Sequence, residues 1–252
     1  MSFEVLISLS SFGAAEVGRH GQLWCSQLAR AAGADSVEVR GEMLRDAEAE
    51  LPALRGLASV FSSPEGLWAE SGALDADALL RGIASTTRLG AKRLKMAIGG
   101  FRAASSQASL HDVEMLLADT GIELLIENDQ TPRAGTLAAL QAFFDAADRA
   151  GLSVGMTFDM GNWHWLGECP LQAAKALGHR VRYVHCKGAQ RLAHKWVAVP
   201  LDDSAAPWRA VLRALPADVP HAIEYPLVGD DLEAVTRAQI AFIRAARALE
   251  HS

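Results

Sequence analysis

The sequence predicts a single-domain (β/α)8 barrel. Apolar β-like runs alternate with helical patterns eight times along 252 residues, and the connections between them are short. Four of the later runs end on a residue able to do chemistry, as strands of a parallel barrel do at its C-terminal face. A chain of this length commonly forms one such barrel, and no linker or low-complexity tract divides residues 1–252.

The first strand is expected at residues 3–8, followed by a helix over 21–32 that stops at Gly33. The second strand, 36–40, alternates Val37 and Val39 with Glu38 and Arg40; a short helix within 45–57 is interrupted near Pro52. A third strand at 58–61 runs into S-S-P-E. Asp75 then caps a helix whose Leu79, Leu80, Ile83 and Leu89 share a face and which Gly90 closes. The fourth strand, 94–98, ends at Gly99-Gly100, and a helix over 110–120 stops at Gly121. The fifth strand, 122–126, delivers Glu127 and leads to a helix over 136–150 with Gly151 at its end. The sixth, 154–158, delivers Asp159 ahead of a short helix at 171–177, and the seventh, 181–184, delivers His185. Residues 188–206 form the least regular stretch, expected to be a loop covering the site. A helix over 207–215, an eighth strand at 222–223 delivering Glu224, and a helix over 231–249 complete the chain.

The composition narrows the partners. With 24 Lys+Arg against 30 Asp+Glu the net charge is −6, which argues against a nucleic-acid partner. No apolar run approaches the roughly 20 residues of a membrane span, and the first residues lack the basic region of a signal peptide. Cys25, Cys169 and Cys186 lack framework spacing and read as small hydrophobes in a reducing compartment, so a soluble cytoplasmic protein is expected.

In a parallel barrel Glu127, Asp159, His185 and Glu224 converge on one face. Three neighbouring carboxylates repel one another, and a divalent cation relieves that repulsion. Three oxygen donors and an imidazole suit Mn²⁺, Co²⁺ or Mg²⁺, with Fe²⁺ and Zn²⁺ also compatible. Any one of these residues alone reads more readily as a cap or a solvated turn than as a ligand, and the four together leave both readings standing.

The motifs I-E-N-D at 126–129, F-D-M-G-N-W at 158–163, Y-V-H-C-K at 183–187 and I-E-Y-P at 223–226 resemble, in order and spacing, the xylose-isomerase-like TIM-barrel superfamily. That superfamily holds sugar and sugar-phosphate isomerases, ketose 3-epimerases, dehydratases and endonuclease IV. A narrower resemblance, carried by I-E-N-D-Q-T-P, T-F-D-M-G-N-W-H-W and A-I-E-Y-P-L, is to putative epimerases linked to 2-ketogluconate utilisation.

The resemblance implies that Glu127, Asp159, His185 and Glu224 hold one metal, that Glu127 and Glu224 are also the acid/base pair, and that Arg191 contacts substrate. It also marks departures. Asn162 stands where ketose epimerases keep a substrate-contacting His, and Arg133 where they keep a second Glu. Lys187 precedes Gly188 where many relatives have Asp. Related barrels often dimerise, which leaves a homodimer open.

Other residues carry weaker expectations. Lys95, on the fourth strand, either holds a substrate anion or pairs with Glu38 or Glu42; Lys187 suits the same anion-binding role. Arg40 and Glu42 reach the rim from the second strand, and Trp68 and Trp196 fall in loop regions where they either line a sugar site or pack. Trp163, His164 and Trp165 read as pocket wall or subunit contact.

The chemistry implied is removal of a proton α to a carbonyl with a metal-stabilised enediolate, leading to epimerisation or isomerisation of a sugar, sugar acid or sugar phosphate. Dehydration of a cyclic polyol or keto acid, and a non-catalytic sugar-acid-binding barrel, are the alternatives.

Overall fold

Every barrel strand is followed by a helix that returns the chain to the opposite rim. β1 (Val5–Ser8) leads to α1 (Gly13–Ala31), β2 (Ser36–Arg40) to α2 (Ala47–Ala53), β3 (Ala58–Trp68) to α3 (Ala76–Leu89) and β4 (Arg93–Gly99) to α4 (Gln107–Leu117). β5 (Glu123–Glu127) leads to α5 (Leu137–Ala150) and β6 (Gly155–Asp159) to α6 (Pro170–Leu177). After β7 (Val181–Cys186) a hairpin of β8 (Gly188–Leu192) and β9 (Lys195–Val199) precedes α7 (Trp208–Ala214); β10 (His221–Ile223) and α8 (Leu232–Leu249) close the chain. The computed structural model describes residues 3–104 and 107–249, so residues 1–2, 105–106 and 250–252 of the domain expected over 1–252 lie outside the described residues.

Parallel pairing in the order β1-β10-β7-β6-β5-β4-β3-β2 closes the sheet into the predicted (β/α)8 barrel. Apolar residues on the outer strand faces and the inner helix faces make the main core, while Leu6, Val60, Leu125, Tyr183 and Ala222 form a separate cluster. Side chains two positions apart on a strand share a face. Two residues beyond each member of that cluster stand Ser8, Ser62, Glu127, His185 and Glu224. The barrel interior therefore changes from an apolar plug to a polar floor within one step of the pleat, at the C-terminal end of the strands.

The helix ends follow the local chemistry. Asp75 accepts from the Ala78 N–H and Thr136 from the Ala139 N–H, and α3 and α5 stop at Gly90 and Gly151 in the left-handed conformation.

Several expectations are corrected. α1 begins at Gly13 rather than residue 21, and Gly21 (φ 81°) is a break inside it. Pro52 lies within α2, whose start Asp46 caps by accepting from Glu48 and Ala49 N–H groups. β3 continues to Trp68 through an irregular register between Ser62 and Gly66, so Trp68 ends a strand and is not in a loop. The stretch 188–206, expected to be irregular, contains the β8–β9 hairpin, whose turn uses Ala193 at φ 49° without an Asn-Gly or Gly signature. Cys25 and Cys186 are buried as expected, whereas Cys169 is exposed just ahead of α6. Among the described residues, no helix is long and apolar enough to cross a membrane.

At the other end of the barrel α8 is anchored by a buried guanidinium. Arg247 donates to His221 Nε2 (2.9 Å), to the Leu212 carbonyl (2.6 Å) and to the Pro216 carbonyl (2.6 Å), while His221 Nδ1 donates to the Val219 carbonyl (2.7 Å). Burial, and then the charge of Arg247, lower the His221 pKa to about 3. The unfolded chain takes up that proton near 6.5, so this contribution to stability is present at neutral pH and lost as pH falls from there toward 3. His221→Gln, whose carbonyl oxygen can accept from Arg247, is expected to lose less melting temperature than the wild type between about pH 6.5 and 4, measured by thermal denaturation across pH.

Candidate active site

β5, β6, β7 and β10 are consecutive neighbours in the barrel, and their C-terminal ends bring Glu127, Asp159, His185 and Glu224 together. One ligand atom from each lies within 4.8 Å of the others. His185 Nδ1 is at the centre, 2.9 Å from Glu127 Oε1, 2.9 Å from Glu224 Oε2 and 3.8 Å from Asp159 Oδ2. The registers Glu127↔Thr157, Asp159↔His185 and Ala222↔His185 make this convergence a consequence of strand pairing.

The other atoms of the cluster are held from behind. Asp159 Oδ1 accepts from the Gly161 and Asn162 N–H groups (2.8 and 2.9 Å). Asn128, fully buried, clamps the Asp159 backbone by accepting from its N–H (2.8 Å) and donating to its carbonyl (3.0 Å). Arg40 Nη1 donates to Glu224 Oε1 (2.6 Å), and Lys95 Nζ lies 2.9 Å from Glu127 Oε2. Each carboxylate thus has one oxygen fixed and the other turned toward His185.

His185 is itself oriented by Glu38, which the sequence marks only as an ion-pair partner for Lys95. Its Nε2 donates to Glu38 Oε2 (2.8 Å), and Glu38 Oε1 also receives Ser8 Oγ (3.2 Å) and Arg40 Nη1 (3.1 Å) and lies 3.2 Å from Lys95 Nζ. A carboxylate on one imidazole nitrogen directs the other nitrogen toward a ligand. The signal was present in V-E-V-R: a Glu that faces a closed barrel is buried and needs partners.

Burial pushes the Glu38, Glu127 and Glu224 carboxyls up, but nearby cations outweigh it. Lys95 and His185 hold Glu38 and Glu127 below the usual carboxylate range, and His185, Lys187 and Lys95 do so more strongly for Glu224. Burial lowers His185, yet Glu224, Glu38 and Glu127 raise it well above an ordinary imidazole. Three oxygens and one nitrogen facing one another fit a divalent metal ion.

The remaining predicted residues divide. Lys187 Nζ lies 2.6 Å from Asp159 Oδ2 and 2.8 Å from Glu224 Oε2 and donates to Asn162 Oδ1 (3.1 Å), so Lys187 and Asn162 join the cluster. Lys95 is enclosed and pairs with Glu38, whereas Glu42 sits exposed on the rim and pairs with Arg40 (2.9 Å). Arg191 is exposed on β8, opposite Trp196 and outside the cluster. Trp196 packs on His164 (ring centroids 5.1 Å apart), tying the hairpin to the turn after β6. Trp163 is wholly buried against Phe158 and belongs to the core. A cavity of about 690 Å³ opens at the ends of β3 and β4 and is lined by Trp68, Gly99, Asp129 and Arg133, among others.

The family model for the xylose isomerase-like TIM barrel matches residues 26–246. The chain belongs to this family. Comparison with curated proteins finds no match. Among solved structures, this xylose isomerase-like barrel is similar to an L-ribulose 3-epimerase (17% identity, 99% of this chain and 96% of that one, TM-score 0.68). It is also similar to the probable 3-DHS dehydratase AsbF of Bacillus anthracis, involved in petrobactin synthesis (14% identity, 96% and 98%, TM-score 0.65). A third similar structure is the IOLI protein with a binding zinc atom (13% identity, 96% and 96%, TM-score 0.64). At these identities the likeness establishes the fold.

Lys95→Met removes the buried cation that Glu38 and Glu127 share and is expected to cost about 3–5 kcal/mol of stability at neutral pH, measured by chemical denaturation.

Proposed function

We propose that the protein is a divalent-metal-dependent epimerase or isomerase of a small sugar, sugar acid or sugar phosphate. The observation that carries this reading is the facing set of Glu127 Oε1, Asp159 Oδ2, Glu224 Oε2 and His185 Nδ1, with the far nitrogen of His185 held by Glu38. These four residues would hold the ion, and their donor set favours Mn²⁺, Co²⁺ or Mg²⁺ while admitting Zn²⁺ or Fe²⁺. The bound ion would supply positive charge to a substrate oxygen as the adjacent carbon loses a proton and an enediolate forms.

Glu127 and Glu224 are the acid/base pair. They flank His185 Nδ1 at 2.9 Å each, and their strands are separated by β6 and β7, so they approach a substrate from different sides. Lys95 lies at Glu127 Oε2 and Arg40 at Glu224 Oε1, so each cation orients the oxygen that does not face the ion, and that oxygen exchanges the proton α to the carbonyl. Return of a proton to the same carbon from the opposite side gives an epimer; return to the neighbouring carbon interconverts aldose and ketose. Asn162 and Lys187 border the reacting position and contact substrate; Arg191 reaches it only if the hairpin tip carries it inward, and Glu42 acts through Arg40. The similarity to the L-ribulose 3-epimerase supports a sugar substrate.

Dehydration is the second reading, favoured by the comparable likeness to the probable 3-DHS dehydratase. It requires the same proton abstraction followed by loss of a β-hydroxyl.

The test is exchange of substrate C–H for deuterium in D₂O, followed by NMR over ketoses, keto acids and their phosphates with metal added. A turned-over substrate is expected to gain deuterium beside its carbonyl, and Glu127→Gln is expected to slow this by about 10²-fold or more. Loss of water instead of a new epimer would select the dehydratase. Tight ligand binding with no exchange would replace the enzyme with a sugar-acid-binding barrel.

A further inference from the structure

We infer that Lys187 is a resident counter-cation of the metal cage, occupying with its ammonium the charge position that the ion must take. This rests on the metal-centre reading above. Of the four facing ligand atoms, Lys187 Nζ touches two, Asp159 Oδ2 at 2.6 Å and Glu224 Oε2 at 2.8 Å. Lys95 differs: its contacts are with Glu38 and with the outward oxygen of Glu127, so it leaves the facing atoms free.

The position of Lys187 is built rather than incidental. Asn162 Oδ1 accepts from its ammonium at 3.1 Å, and Asn162 is fixed in turn by donating to the Asn128 carbonyl (2.9 Å) and accepting from Gln130 Nε2 (3.0 Å). The lysine stem lies across Gly161, where a Cβ would come within 2.8 Å of Cγ and 2.9 Å of Cδ. Gly161 has ordinary right-handed backbone angles (φ −88°, ψ −39°), so the glycine is there for the approach of the stem and not for the turn.

A divalent ion on the same two oxygens would be repelled at close range by the ammonium held there. When the ion enters, the ammonium must leave Asp159 and Glu224, and metal affinity is reduced by the work of separating them. With the ion bound, the released ammonium remains tethered beside Asn162, where an anionic substrate group can receive it. In the empty protein the same ammonium offsets the repulsion of the cage, so the barrel folds without metal.

The test compares Mn²⁺ affinity by calorimetry in the chelator-treated full chain, wild type against Lys187→Met, with Lys175→Met, at an exposed position of α6, as a control for charge at a distance. Lys187→Met is expected to bind Mn²⁺ about tenfold or more tightly than wild type, with Lys175→Met unchanged. Gly161→Ala, which keeps every charge and crowds only the stem, is expected to shift affinity in the same direction. Apo Lys187→Met is expected to melt lower than apo wild type and to recover more on adding Mn²⁺. Wild-type binding with equal or weaker affinity in both Lys187→Met and Gly161→Ala would overturn the inference and leave the metal centre standing. Binding by neither wild type nor variants would overturn both.

Discussion

Four carboxylates packed around one imidazole at the floor of a barrel are the constraint on which the rest of this structure depends. Glu38, Glu127 and Glu224 are held in the ionised form against burial by the cations interleaved with them. Arg40 on β2, Lys95 on β4 and Lys187 between β7 and β8 do this, each spanning two of the four carboxylates. The result is an alternating lattice of charge in which every carboxylate has a fixed oxygen and a facing oxygen. His185 stands where the facing oxygens meet.

The fold provides this lattice through the pleat. Parallel pairing aligns the strand ends, and a two-residue step from the apolar plug to the polar floor puts Glu127, His185 and Glu224 at one level. Asp159 needs more, because it ends its strand and is followed at once by a turn. Asn128 clamps its backbone from the neighbouring strand end, and two N–H groups of the turn take one of its oxygens. The same turn supplies Gly161, which admits the stem of Lys187, and Asn162, which receives its head. One short segment after β6 thus sets both a proposed ligand and the cation that competes for it.

Much of this was legible in the chain. Strands ending in Glu127, Asp159, His185 and Glu224 were visible because each closes an apolar run, and the helix stops at Gly90 and Gly151 follow ordinary capping chemistry. Glu38 was harder to see, since V-E-V-R reads as half-exposed alternation until the sheet closes and both faces are covered. The hairpin at 188–199 was not legible, because its turn passes through Ala193 with no residue that favours positive φ. The contacts of Lys187 were hidden for another reason: they depend on the absence of a side chain at Gly161, a negative feature that spacing does not reveal. Arg191 illustrates the opposite limit, a position carried over from relatives that lies on the exposed hairpin and outside the cluster.

The most direct measurement is an anomalous-difference map from crystals of the protein soaked in Mn²⁺. The account predicts a single strong peak bound by Glu127, Asp159, His185 Nδ1 and Glu224, with Lys187 moved off Asp159 and Glu224 and Glu38 still on His185 Nε2. A map without a peak at this cluster, under conditions where Mn²⁺ reaches it, would contradict the account at its centre.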